Sequence, residues 1–149
     1  MLCQDETMKN KIEGLLPHRE PFLFVTEIIE ANKEKIAARH VFSENEFFFK
    51  GHFPGYPVVP GVVLIEAMAQ SGGAGLRKID ALGGNDLFFL ATVDKVKFRR
   101  QVRPGDELRS EIENLRISAG MIKQKGKAYV GNELAAEAEW MCLVQRGSK

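Results

Sequence analysis

Between residues 53 and 76 the only charged side chain is Glu66. Pro54, Pro57 and Pro60 crowd the start of this stretch. From Gly61 the residues are then apolar all round: Val62, Val63, Leu64, Ile65, Ala67, Met68 and Ala69. A helix that is apolar on every side is buried on every side. Proline followed by glycine suits its start, because the first turn needs no N–H partner there. The stretch approaches the length of a membrane span. The prolines, Glu66 and Gln70 in the middle, and Gly72-Gly73-Ala74-Gly75 towards the end favour the core helix of a soluble protein instead.

One buried helix needs a cover, and the rest of the chain supplies strands. Residues 22–29 and 35–42 are rich in β-branched and aromatic side chains, with a turn at Asn32-Lys33. Strand signals return at residues 87–93, 96–102, 108–117, 122–130 and 134–144, with a tight reversal at Pro104-Gly105-Asp106. Propensity alone makes residues 135–139 helical, but residues 140–144 continue them with β-favouring side chains, so the segment reads as strand. Residues 12–16 suggest a short helical turn ended by Pro17. A polar and aromatic loop is expected over 43–50, and the Gly- and Pro-rich segment 51–60 excludes regular structure. The expectation is an α+β domain covering residues 1–149, with six or seven mostly antiparallel strands curved around one helix. Unpaired strand edges and so apolar a helix point to oligomerisation.

The totals narrow the function. A chain of 149 residues with 44% apolar and 28% charged residues is an ordinary globular composition. A net charge of +1 provides no bulk attraction to nucleic acid or anionic membrane. Cys3 and Cys142, near opposite ends, make neither a disulfide framework nor a metal cluster, and fit a reducing compartment. The first eleven residues lack the apolar run of a secretory signal, so the cytoplasm is expected.

Two residues stand out for chemistry. His52 lies in Gly51-His52-Phe53-Pro54-Gly55-Tyr56-Pro57, where glycine and proline on both sides fix the backbone. Histidine is the natural general base near neutral pH. Glu66 sits in the second turn of the apolar helix, with no Lys or Arg before Arg77 to neutralise it. Burial raises a carboxyl pKa, so Glu66 is expected to hold a proton and donate it. Gln70, one turn on, shares its face and can orient the carboxyl group. The free N–H groups at Gly61 and Val62 offer a site for a developing oxyanion. Base, acid and oxyanion site together describe proton abstraction beside a carbonyl with loss of a β-hydroxyl. For His18 and His40, a side chain satisfied by its surroundings is the default. No metal constellation, phosphate loop or nucleophile elbow is present, so the chemistry is expected to need no cofactor and no metal.

At these residues the sequence resembles the β-hydroxyacyl-acyl carrier protein dehydratases of fatty acid synthesis. The matching segments are Leu16-Pro17-His18-Arg19 with Pro21-Phe22-Leu23, the block from Gly51 to Gly55 continuing through Pro57-Val58-Val59-Pro60-Gly61, and Ile65-Glu66-Ala67-Met68-Ala69-Gln70. Lys97-Phe98-Arg99-Arg100, Val102 and Pro104-Gly105-Asp106 extend the match. The resemblance implies a hot-dog fold, and a homodimer that can build a hexamer as a trimer of dimers. It implies a composite site in which His52 takes the α-proton and Glu66 of the other subunit assists departure of the hydroxyl. Gly61 would hold the thioester carbonyl and Gln70 would support the acid, with Phe53 and Tyr56 as substrate-binding positions. Tyr56 replaces a commonly basic residue and is a candidate gate. Thr26 and Glu27 also depart from the family pattern. Lys95, Lys97, Arg99, Arg100 and Arg103 could dock an acidic acyl carrier protein that delivers its substrate on a phosphopantetheine arm. An acyl thioesterase or a non-catalytic acyl-binding subunit on the same fold are the alternatives.

Overall fold

A computed structural model describes residues 2–147, with the side chains of residues 7–9 and 11–147. Cys3 therefore lies outside the described side chains. The elements run α1 (Leu2–Glu13), β1 (Glu27–Ala31), β2 (Lys35–Val41), a 3-10 turn at Phe47–Lys50, α2 (Gly61–Lys78), β3 (Leu87–Phe98), β4 (Glu107–Ile117), β5 (Met121–Val130) and β6 (Glu133–Gln145). All six strands form one antiparallel sheet in the order β1-β2-β4-β5-β6-β3.

Period-two alternation selects the face that meets α2. On β4, Leu108, Ser110 and Ile112 point inward; on β5, Ile122, Gln124 and Ala128 do; on β6, Ala138, Trp140 and Cys142 do. Each fully buried large apolar side chain contributes roughly 1.5–3 kcal/mol. The buried Gln124 amide is satisfied: it accepts the Trp140 indole N–H at 3.1 Å and donates to Asn114 at 2.8 Å.

Glycines let the sheet approach the helix closely. A Cβ at Gly72 would collide with Gln124, one at Gly73 with the Phe88 ring, and one at Gly75 would sit 2.6 Å from Ile36. From the sheet side, a Cβ at Gly126 would lie 2.7 Å from the Trp140 ring. The sheet thus packs against the backbone of the second half of α2.

Several expectations change. The strand foreseen at 22–29 begins only at Glu27, because the Phe24 N–H is engaged by the Gln70 side chain and Phe24 fills the core. The turn foreseen at 12–16 is instead the end of a helix that starts at Leu2; Ile12 and Leu16 pack with Leu23, Val25, Ile28 and Ala38 in a second apolar cluster. The loop foreseen at 43–50 contains a 3-10 turn that buries Phe48 and Phe49. Segments 87–93 and 96–102 merge into one strand, β3, which carries a bulge at Lys95 (φ 52°) and stops at Phe98. Residues 135–139 lie within strand β6. The central helix is buried along most of its length, but one face of its first turns is not: Val62 is 71% exposed and Glu66 half-buried, while Val63, Leu64 and Ile65 are buried. Among the described residues, no helix is long and apolar enough to cross a membrane.

Candidate active site

The Gly/Pro-rich segment before α2 holds His52 by three hydrogen bonds. Its backbone N–H donates to Phe48 O at 3.0 Å and its carbonyl accepts from Val58 N at 2.9 Å. The ring Nδ1 lies 2.9 Å from Val58 O. A carbonyl only accepts, so Nδ1 carries the proton and Nε2 is left with a lone pair, the tautomer a base requires. Phe53 stacks on the imidazole with ring centroids 4.1 Å apart. The His52 side chain opens on a cavity of about 630 Å³, lined also by Gly61, Val62, Phe98, Arg99 and Val102.

Gly61 starts α2 on that same cavity. Pro60 precedes it without a side-chain cap, while its carbonyl accepts from Val63 and Leu64. The N–H groups of Gly61 and Val62 belong to the first turn, where the helix provides no acceptor. Gly61 sits under Phe98, and a Cβ there would lie 2.8 Å from that ring.

Glu66 lies on the partly open face of α2, one turn after Val62. Burial raises its pKa above the usual carboxylate range, and a hydrogen bond from Gln70 partly offsets the rise. Gln70 Nε2 donates to Glu66 Oε2 at 2.8 Å and to Phe22 O at 3.2 Å, while Gln70 Oε1 accepts the Phe24 N–H at 2.8 Å. Gln70 is fully buried, so these bonds fix the carboxyl group to the segment that enters β1. Glu66 opens on a second cavity, of about 370 Å³, lined by His18, Phe22, Ala69, Phe88, Leu90 and Cys142 among others. Burial first, and then the Glu66 charge, push the Cys142 thiol up to about 12, so it stays protonated and unreactive.

Within one chain the two residues do not meet: the His52 cavity and the Glu66 cavity share no lining residue. Sequence reasoning passed over His18, expected to be satisfied by nearby backbone. Its Nε2 instead faces Glu66 Oε2 at 3.8 Å. His40 is buried between Thr26 and Glu46. At the rim, the Tyr56 hydroxyl donates to Gln101 at 3.0 Å and Arg103 stacks 4.1 Å over its ring. Arg99 and Arg100 also line the His52 cavity; each lies 3.4 Å from a carboxylate, Glu137 and Glu133 respectively. Lys97 projects from β3 opposite Glu137.

The FabA-like domain model matches residues 16–139, which include every lining residue of the two cavities except Cys142. The chain belongs to the FabA-like family. Among curated members it is 51% identical over 137 residues to the 3-hydroxyacyl-[acyl-carrier-protein] dehydratase FabZ of Desulforamulus reducens, spanning 91% of this chain and 95% of that one. It is 48% identical over 138 residues to FabZ of Pelotomaculum thermopropionicum, spanning 91% and 97%. The FabA-like fold extends to more distant solved structures. The dehydratase heterocomplex ApeI:P of Xenorhabdus doucetiae superposes with a TM-score of 0.77 at 17% identity, over 93% of this chain and 91% of that one. A hypothetical thioesterase with coenzyme A from Streptococcus pneumoniae superposes at 0.62 and 10% identity, over 83% and 88%. At such identities the likeness establishes the hot-dog architecture and nothing finer.

Proposed function

We propose that this FabA-like protein is a 3-hydroxyacyl-[acyl carrier protein] dehydratase in which His52 is the base and Glu66 the acid. The observation that carries the assignment is the Glu66 carboxyl group, half-buried, raised in pKa and fixed by Gln70 at the mouth of an apolar cavity. His52 Nε2 removes the α-proton, and the electron pair moves towards the thioester carbonyl, whose oxygen the Gly61 N–H receives. The pair then forms the Cα–Cβ double bond, the Cβ–O bond breaks, and Glu66 gives its proton to the departing oxygen. Water and a trans-2-enoyl thioester leave. Transfer of a proton from imidazolium to carboxylate through solvent restores both residues, so the cycle needs no cofactor.

A homodimer completes the centre, with His52 of one protomer meeting Glu66 of the other. Two features support it: the separate cavities, and the edge strand β3, which leaves Phe89 and Leu90 exposed beside Leu143 of β6. A trimer of such dimers is the proposed larger assembly. Phe53 and Tyr56 line the substrate's entry, Tyr56 as its gate. Lys97, Arg99, Arg100 and Arg103 form the docking surface for the acidic carrier protein and its phosphopantetheine arm. The proposed compartment is the cytoplasm, in keeping with the free Cys142 thiol.

Product analysis on carrier-bound 3-hydroxyacyl chains of several lengths tests the assignment. Enoyl product supports it. Free acid in place of enoyl product would make the protein a thioesterase, and no turnover by assembled protein would make it an acyl-binding subunit.

A further inference from the structure

The cavity that holds Glu66 holds a second titratable side chain to which the mechanism above gives no task. His18 comes from the turn after α1. Its Nε2 lies 3.8 Å from Glu66 Oε2 and its ring tilts against Phe88 with centroids 5.7 Å apart. Its Nδ1 is buried and has no hydrogen-bond partner. A buried donor without an acceptor is rarer than an unmatched acceptor. The ring proton therefore belongs on Nε2, facing Glu66. Burial first, then the nearby charges of Arg77 and Arg19, lower the His18 pKa, so the ring is neutral and has one N–H to give.

A separation of 3.8 Å is too long for a direct hydrogen bond. One oxygen atom about 2.8 Å from each group would bridge it. Other polar side chains around the cavity are spent or inert. The Gln70 amide is taken by Glu66 and Phe22, the Cys142 thiol is a weak donor, and Arg77, whose two terminal nitrogens donate to the Gly84 and Asp86 carbonyls, does not line the cavity. Residues 87–90 of β3 bring only apolar side chains to the cavity.

We propose that His18 is a further catalytic residue of this reaction, its Nε2–H binding the departing β-hydroxyl oxygen while Glu66 protonates it. The assignment rests on Glu66 being the acid. As the Cβ–O bond breaks, its electron pair collects on oxygen, which takes the proton from Glu66 and accepts a hydrogen bond from His18. His18 transfers no proton and ends as neutral as it began. A donor aimed at the atom where charge peaks stabilises the transition state more than the bound substrate.

The test compares H18L, H18Q and E66Q in the full chain on a carrier-bound 3-hydroxyacyl substrate, with Tm as a fold control. H18L should lower kcat by about tenfold or more, the effect of a hydrogen bond to a charged group, and change KM by less than about twofold. H18Q keeps an N–H at similar reach and should recover most of kcat. If H18L does not fold, H18F, which keeps the contact with Phe88 but has no N–H, takes its place. Unchanged kcat in H18L, or H18Q as slow as H18L, overturns the role of His18 while E66Q stays inactive. Normal turnover by E66Q would overturn the acid and His18 together.

Discussion

Gln70 holds Glu66 from one helical turn away, donating to Oε2 at 2.8 Å while its own oxygen accepts the Phe24 N–H at 2.8 Å. The acid's geometry therefore depends on backbone 42 residues earlier in the chain, and the two can be perturbed separately. Replacing Gln70 with Leu should leave Glu66 in place but unanchored. Its pKa should rise, since the lost bond is the one that lowers it, and the basic limb of the pH–kcat profile should move to higher pH. An unmoved limb would show that Gln70 does not act on the acid.

Glu66→Gln should cut dehydration by roughly 10²–10⁴-fold, the usual contribution of a general acid. It should also change stability with a defined sign. A carboxyl group whose folded pKa is raised keeps its proton after the unfolded chain has lost it. Wild-type stability therefore falls as pH rises from the unfolded value of 4.5 towards the folded one. The variant escapes this loss, so its Tm should match wild type near pH 4 and exceed it at pH 8. A lower Tm at pH 8 would mean that the carboxylate is stabilising.

His52→Ala should stop exchange of the substrate α-proton with solvent, read by deuterium incorporation, and continued exchange would indicate another base. Mixing this variant with Glu66→Gln, after dissociation and reassembly, should restore about a quarter of wild-type activity. Half the dimers are then mixed and one of their two centres is intact. No recovery would place both residues in one protomer's centre.

Arg99→Ala with Arg100→Ala should raise KM for carrier-bound substrate more than for a small thioester, and the difference should shrink at high salt. Equal effects on both substrates would remove the docking role.

Gly126→Ala would push a methyl group towards the Trp140 ring, which is 1% exposed and tied to Gln124. The expected cost is about 1–3 kcal/mol, or a Tm lower by several degrees. The emission of Trp140, the only tryptophan, follows the transition directly.

Much of this architecture can be read along the chain where one element carries its own signal. The α2 start at Gly61 follows from Pro60 and the apolar run, and β4 and β5 follow from their strand signals, within a residue of expectation. Features that depend on distant partners cannot be read that way. Residues 22–24 look like strand, yet the Phe24 N–H goes to Gln70. Lys95 gives no local hint of the positive φ that bulges β3. At the site, Glu66 and Gln70 declare themselves through helical spacing. His18 does not, because what distinguishes it is a carboxyl group 48 positions later.

The glycines of α2 have a consequence for redesign. Because Gln124, Phe88 and Ile36 rest against its backbone, the second half of this helix has no side-chain volume to trade. Any attempt to reshape the Glu66 cavity has to work from Phe22, Leu87, Phe89 and Leu90, whose side chains are exposed, and leave Phe88 on the helix backbone alone.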